Sequence, residues 1–265
     1  RMILVTGSTG LVGAHLLYKL ISNNEKVRAI YRNEGKLNNV KKVFSTYIDD
    51  YKNLFENIDW VKADILDIPS LSKAFKGIDY VYHCAAFVSF EPDKYHLLRR
   101  TNIEGTANIV NLCISNSIKK LCYVSSIATI GNELNNNPIT EDSVWNPEEE
   151  HSVYLFKKAR KGLNYYTAGT IGVVAIEDVI SIMVALLKSD IINERYVLVA
   201  ENWTYKKFLQ ALAKSVNSKE PKKMASKKLL SFAWRLDWLK HKITGKRRQL
   251  TKHLAQSLSS ETNYN

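Results

Sequence analysis

The sequence predicts an α/β protein, a doubly wound parallel sheet followed by a smaller, mostly helical C-terminal lobe. Three observations carry that expectation. Short apolar runs alternate with helix-period segments from the first residue onward, the pattern of a parallel sheet buried on both faces. Gly7, Gly10 and Gly13 stand between the opening run and the first amphipathic segment. The net charge of +12 is confined to one end: residues 1–205 hold 23 Lys and Arg against 23 Asp and Glu, whereas 206–253 hold 15 basic residues against only Glu220 and Asp237.

Taken in order, residues 2–6, 26–31, 59–62, 79–84 and 120–125 read as strands. Between them, residues 11–21 place Leu16, Leu17, Leu20 and Ile21 on one helical face. Pro69 starts a short helix that Gly77 stops, and residues 103–114 repeat apolar side chains at helical spacing. Asn102 is expected to begin that helix and to bond backbone near the site. Later strands are expected at 173–176 and 195–199, flanking a helix over 177–188. Thr204 is a good N-cap, and the chain beyond it reads helical.

The middle of the chain is short. Only 18 residues separate Tyr154 from Val173, and they include Gly162, Gly169 and Gly172. A doubly wound fold needs a helix, a further core strand and a return loop here, and one strand–helix–strand unit alone takes about 30 residues. Either deletion has shortened this stretch or a segment after Tyr154 is absent from it.

Composition bounds the rest. With 265 residues, 45% hydrophobic and 24% charged, the chain can bury a core, which excludes disordered, collagen-like and coiled-coil classes and leaves room for one large domain or two modest ones. No run approaches about 18 uninterrupted apolar residues, and residues 2–6 read as a core strand rather than part of a secretory signal. A soluble, cytoplasmic chain is expected. Cys84, Cys113 and Cys122 are three in number without C-x-x-C spacing, so free buried thiols are expected and neither disulfides nor zinc.

The glycine turn reads Thr6-Gly7-Ser8-Thr9-Gly10-Leu11-Val12-Gly13. Glycine at this spacing lets backbone turn tightly, approach a pyrophosphate and bring the helix against the sheet, while the free N–H groups of the helix face the anion. A glycine triplet alone is weak evidence; its place between strand and helix makes it strong. The second strand ends Tyr31-Arg32-Asn33. An acidic residue there would mark NAD by bonding the ribose, whereas Arg32 suits a 2′-phosphate and so NADP, with a solvated surface arginine as the other reading. Asp64 follows the third strand, either to accept from an adenine amino group or as an ordinary turn residue.

These stretches, together with Ala63-Asp64-Ile65-Leu66-Asp67, His83-Cys84-Ala85-Ala86, Asn102-Ile103-Glu104-Gly105-Thr106, the run from Tyr123 to Gly131 and the run from Gly172 to Val179, resemble the extended short-chain dehydrogenase/reductase superfamily, the NAD-dependent epimerase/dehydratase group. The Arg32 environment is most similar to its dihydroflavonol reductase and hydroxysteroid dehydrogenase side. The resemblance implies a Rossmann domain over 1–154 to which 173–199 returns, and a substrate-binding lobe made of 155–172 and 200–265. It implies cofactor contacts at Gly7, Thr9, Gly10, Leu11, Val12, Arg32, Asp64, Ile65, Ala85, Ala86 and Ser125. It makes Ser126 the residue that bonds the substrate oxygen and Tyr154 the acid-base group. A free phenol titrates near ~10, so such a Tyr needs a neighbouring cation to work at neutral pH. Lys158 has the right spacing, yet its surroundings resemble a later stretch of the family. It is the family's lysine if the chain is contiguous there, and otherwise a solvated basic residue. His83 is read as a packed histidine, with no partner at metal-ligand spacing.

Residues 226–243 set Leu229, Leu230, Phe232, Trp234, Leu236, Trp238, Leu239 and Ile243 at roughly helical spacing among Lys227, Lys228, Arg235, Lys240 and Lys242. A helix packed on the core, a pocket wall for an apolar or anionic substrate, and contact with an anionic membrane surface are the competing readings. Nucleic acid is not expected, for no reading element accompanies the charge.

The expected activity is hydride transfer between NADP, with NAD as the other coenzyme, and a carbonyl or alcohol substrate. The alternatives are a nucleotide-sugar epimerase or dehydratase and a non-catalytic NADP-binding sensor. The resemblance also implies a homodimer paired through the helices near Ile103 and after Tyr154. Substrate identity does not follow from these residues.

Overall fold

The structure is a computed structural model that describes residues 1–88, 94–127, 140–141, 164–215 and 217–245, with residues 250, 252, 255, 258 and 259. The chain divides into two compact units, one made of residues 1–125 and 175–194, the other of 126–174 and 195–265.

The first unit is a five-stranded sheet in the order β3-β2-β1-β4-β5. Its strands are β1 (Met2–Thr6), β2 (Lys26–Tyr31), β3 (Asp59–Lys62), β4 (Tyr80–His83) and β5 (Lys120–Tyr123). Every pairing is parallel, with Val5 opposite both Ala29 and Tyr82. Parallel strands need crossovers, and here helices supply them. These are α1 (Leu11–Ser22), α2 (Leu37–Phe44), α3 (Lys52–Glu56), α4 (Ile68–Ala74), α5 (Tyr95–Arg99) and α6 (Thr106–Ser115).

Alternation along the strands builds two cores. Ile3, Val5, Val27, Ala29 and Tyr82 point to one face, where α1 brings Leu16, Leu17 and Leu20 and α2 brings Val40 and Phe44. Leu4, Ile30 and Val81 point to the other, against Leu71 and Ala74 of α4 and Ile109 and Cys113 of α6. The first face is completed from far down the chain by α7 (Ile176–Lys188), whose Ile180, Met183, Val184 and Leu187 join that core. Two bonds tie it down: the Tyr82 hydroxyl donates to the Met183 carbonyl at 3.3 Å, and Lys120 Nζ donates to the Leu186 and Ser189 carbonyls at 2.6 and 2.7 Å. The lysine thus caps a helix C-terminus, where carbonyls lack helical partners.

In the second unit, β6 (Tyr165–Tyr166) pairs with β9 (Lys223–Met224), and β7 (Thr170–Val173) pairs antiparallel with β8 (Glu201–Thr204). The helices are α8 (Tyr205–Ser215) and α9 (Lys227–Thr244). Thr204 Oγ1 accepts from the Lys207 N–H at 3.2 Å, as a capping residue should.

Three sequence expectations are corrected. Residues 195–199 contain no strand; the strand is Glu201–Thr204, fixed by its ladder to Thr170–Val173. The strand expected at 173–176 lies earlier, at Thr170–Val173, because Ile176 already starts α7 with Glu177 and Asp178 in its first turn, where carboxylates favour the helix dipole. Asn102 does not begin a helix: it sits inside a π-helical turn, Arg100–Gly105, that joins α5 to α6.

Candidate functional site

The C-terminal ends of the five strands share one edge of the sheet, and strand order reverses between β1 and β4, the position where open parallel sheets hold ligands. Each residue singled out in the first unit lies on the segments leaving that edge.

The glycine turn leaves β1. Gly7 has φ of +64°, and a Cβ there would fall 2.5 Å from the Ala85 nitrogen and from the Cys84 carbonyl. A Cβ on Gly13 would overlap the Gly7 carbonyl and the Ser8 Cα. No side chain larger than hydrogen fits either place, so the turn lies flat against both the β4 exit and its own helix. The Gly10 N–H donates to the Gly7 carbonyl at 2.9 Å. Ser8, fully buried, donates its hydroxyl to the Ile30 carbonyl at 2.6 Å and fixes the turn to the end of β2. Gly10 is the N-cap of α1 and carries no side-chain cap, so the first-turn N–H groups have no helical acceptor and face outward. Thr9 is half-buried and Val12 likewise, while Leu11 is 68% exposed.

Arg32 follows β2 and Asp64 follows β3, and the structure brings them together with Nη1 to Oδ2 at 3.6 Å, both side chains partly exposed. The other Asp64 oxygen accepts from the Leu66 N–H at 3.0 Å, so this carboxylate serves its own turn as well. Ile65 is buried, and its carbonyl accepts from Asn108 Nδ2 at 2.9 Å. Main-chain groups and the Asp64 carboxylate, rather than the Ile65 side chain, are what this corner presents.

His83 ends β4 and is fully buried. Thr6 Oγ1 accepts from the Ala85 N–H at 3.3 Å and hydrogen-bonds His83 Nδ1 at 2.6 Å. The other ring nitrogen, Nε2, hydrogen-bonds Thr106 Oγ1 at 3.0 Å, so each nitrogen meets a hydroxyl that can donate or accept. Burial lowers the His83 pKa from its usual 6.5 to about 4, which keeps the ring neutral. The ring stacks on Tyr123, centroids 5.2 Å apart. The network pins the segment carrying Ala85 and Ala86, and Asn102 holds its next residue: Phe87 N–H donates to Asn102 Oδ1 at 2.8 Å and Asn102 Nδ2 donates to the Phe87 carbonyl at 2.9 Å. Asn102 thus bonds backbone at the site, as expected, from a different place in the helix.

After β5 the chain presents Ser125 and Ser126, both exposed. The Val124 N–H just before them donates to the His83 carbonyl at 3.0 Å and extends the β4–β5 pairing up to this point. Tyr154 and Lys158 lie outside the described residues. Among the described residues no group of three or more His, Cys, Asp or Glu could hold a metal ion. The thiols are free, and burial raises Cys113 and Cys122 to about 11 and Cys84 further.

Sequence reasoning missed Ser8, Thr6 and Thr106 as positioning residues. Thr6 and His83 are 77 residues apart, and no local signal joins them.

The first unit's edge can seat an extended anionic ligand: a flat glycine turn with outward N–H groups, a guanidinium beside a carboxylate one strand further on, and the Ser125 hydroxyl on the other flank. Comparison with known proteins agrees. A family model described as "NAD dependent epimerase/dehydratase family" matches residues 3–161. The chain is similar to a sterol-4-alpha-carboxylate 3-dehydrogenase (decarboxylating) of Dictyostelium discoideum, 30% identical over 162 residues, 60% of this chain and 45% of that protein. It is similar to a dihydroflavonol 4-reductase of Callistephus chinensis, 27% identical over 169 residues, 63% of this chain and 44% of that protein. The matches thus span less than half the length of these relatives. In fold it is similar to the UDP-glucuronic acid 4-epimerase from Bacillus cereus in complex with NAD, with TM-score 0.67 and 19% identity, covering 98% of this chain and 95% of that one.

Proposed function

The chain belongs to the NAD dependent epimerase/dehydratase family, and from that premise we propose an NADP-dependent oxidoreductase that moves hydride between nicotinamide and a carbonyl or alcohol substrate. The first unit is the dinucleotide-binding domain and the second contributes the substrate lobe. The observation that carries this reading is the turn at Gly7 and Gly13, where a Cβ would collide with backbone, so glycine is required just where a pyrophosphate needs close approach.

Leu11 and Val12 hold the pyrophosphate through main-chain N–H groups, Gly7, Thr9 and Gly10 form the turn against which it lies, Asp64 and Ile65 border the adenine, and Ala85, Ala86 and Ser125 line the other side. Arg32 selects the 2′-phosphate. Its pairing with Asp64 is partly exposed, and such pairs contribute only about 0–1 kcal/mol, so a phosphate dianion outcompetes the single carboxylate. The bound coenzyme supplies the hydride donor or acceptor. Ser126 bonds the substrate oxygen, and Tyr154 exchanges a proton with it.

Titration with NADPH and NADH tests the coenzyme assignment. NADPH should bind about tenfold more tightly, as loss of one charge-assisted contact of roughly 1.4 kcal/mol or more implies, and Arg32→Ala should erase the preference. Intact folded protein that takes up neither coenzyme would overturn the proposal. Tyr154→Phe should bind NADPH normally and lose turnover; unchanged turnover removes its proton role. Tightly retained coenzyme with no net consumption would select the epimerase or dehydratase alternative, and coenzyme binding without any turnover the sensor.

A homodimer is part of the same reading. Ile103, Val110 and Ile114 are 60%, 37% and 73% exposed along the helical segment that includes α6, an apolar face of the kind that subunits cover. Ile114→Glu should convert a dimer to a monomer in sedimentation equilibrium.

A further inference from the structure

Helix α9 leaves its most apolar stripe in solvent. Leu229, Phe232, Leu236, Leu239 and Ile243 recur at alternating spacings of three and four residues, so they fall on one side of the helix. Their exposures are 42%, 61%, 49%, 47% and 75%. The other side is the one that packs: Leu230 is buried with Ala225 and Ala255, with Trp234 and Leu250 against them. The helix itself is well made. Ser226 Oγ accepts from the Leu229 N–H at 3.2 Å, and Gly245 ends it with φ of +64°. Its 18 residues run about 27 Å.

The borders of the stripe are cationic. By helical angle, Lys228, Arg235 and Lys242 run along one flank and Lys240 along the other. Asp237 is the helix's sole carboxylate, and it accepts from the Leu250 N–H at 3.0 Å on the packed side. Trp238, 44% exposed, has Lys242 Nζ 5.0 Å from its ring centroid.

We propose that this face of α9 lies on an anionic lipid surface, with the five apolar side chains in the headgroup–acyl boundary and the flanking cations on lipid phosphates and carboxylates. Charge complementarity selects that occupant. A second copy of α9 would set basic flank against basic flank, with no carboxylate on either border to relieve it. The helix lies on the surface and does not cross it: among the described residues no helix is long and apolar enough to span a membrane.

The test is cosedimentation of the whole chain with phosphatidylcholine vesicles and with vesicles that also contain phosphatidylserine, over a range of salt. We expect at least about tenfold stronger binding to the anionic vesicles, weakening as salt rises. Phe232→Ser/Leu236→Ser/Leu239→Ser should abolish binding to both. Lys228→Gln/Lys240→Gln/Lys242→Gln should remove the anionic preference by about tenfold or more, since each surface cation contributes roughly fivefold. The exposed positions leave the melting curve by circular dichroism unchanged; if the apolar triple fails to fold, the lysine triple still decides. Folded chain that stays in the supernatant, or binding that neither triple alters, overturns the proposal. So does self-association in sedimentation equilibrium that the apolar triple dissolves, which would give the face to a second copy. No coenzyme enters these measurements, so their outcome is separate from that of the oxidoreductase reading.

Discussion

The edge of the parallel sheet and the outer face of α9 use the same kinds of residue to opposite ends. At the sheet edge His83 is fully buried, with Thr6 and Thr106 each within bonding distance of one of its ring nitrogens. On α9 five large apolar side chains face water, and the cations beside them border the stripe. The first region is shaped by what the protein packs inside itself, and its geometry is fixed before any ligand arrives. The second is shaped by what it leaves unpacked. Stability should therefore be sensitive in one region and indifferent in the other, while binding can be lost from either.

The largest break in that comparison is steric. Gly13→Val would push a branched side chain into the Gly7 carbonyl, and overpacking of this kind costs about 1–3 kcal/mol or more. The expected outcome is a lower midpoint in urea and loss of NADPH uptake. A stable variant that still binds would mean the turn has room it does not show. The next test sharpens the contrast with one substitution type. Leu17→Ala in the sheet core, where the side chain is fully buried, should cost about 2–5 kcal/mol. Leu236→Ala on α9, where it is 49% exposed, should stay within about 0.5 kcal/mol. Equal losses in urea denaturation would erase the distinction between the regions.

A third test uses pH. His83 is lowered from 6.5 to about 4 in the folded chain, so between these values the unfolded chain binds the extra proton. Stability then rises with pH across that window and falls as pH drops from about 6.5 toward about 4, by up to about 3 kcal/mol for a group wholly neutral when folded. Stability measured at several pH values should lose this slope in His83→Gln. Leu236→Ala, the smallest effect, should keep the wild-type slope unchanged.

Much of the sheet was legible in the sequence because parallel strands covered on both faces read as unbroken apolar runs. Strands β1 to β3 match the expected bounds, and β4 and β5 are trimmed at their ends. The second unit was less legible. Residues 195–199 look more strand-like than the polar Glu201–Thr204, yet the latter forms the ladder, because pairing depends on which distant backbone is adjacent. The glycine turn was legible locally, since strand, turn and helix are consecutive. The Thr6–His83–Thr106 network was not, as its members are joined only by folding.

The route by which α7 reaches the first sheet has a consequence for synthesis. A ribosome releases the five strands well before residues 176–188 emerge, so the sheet face that α1 and α2 cover only in part waits without its last helix while the intervening polypeptide is made. The nascent chain must pass through a sticky half-clad stage that ends only when Met183 and Leu187 arrive. Truncation anywhere before that helix should therefore yield aggregates rather than a small working domain.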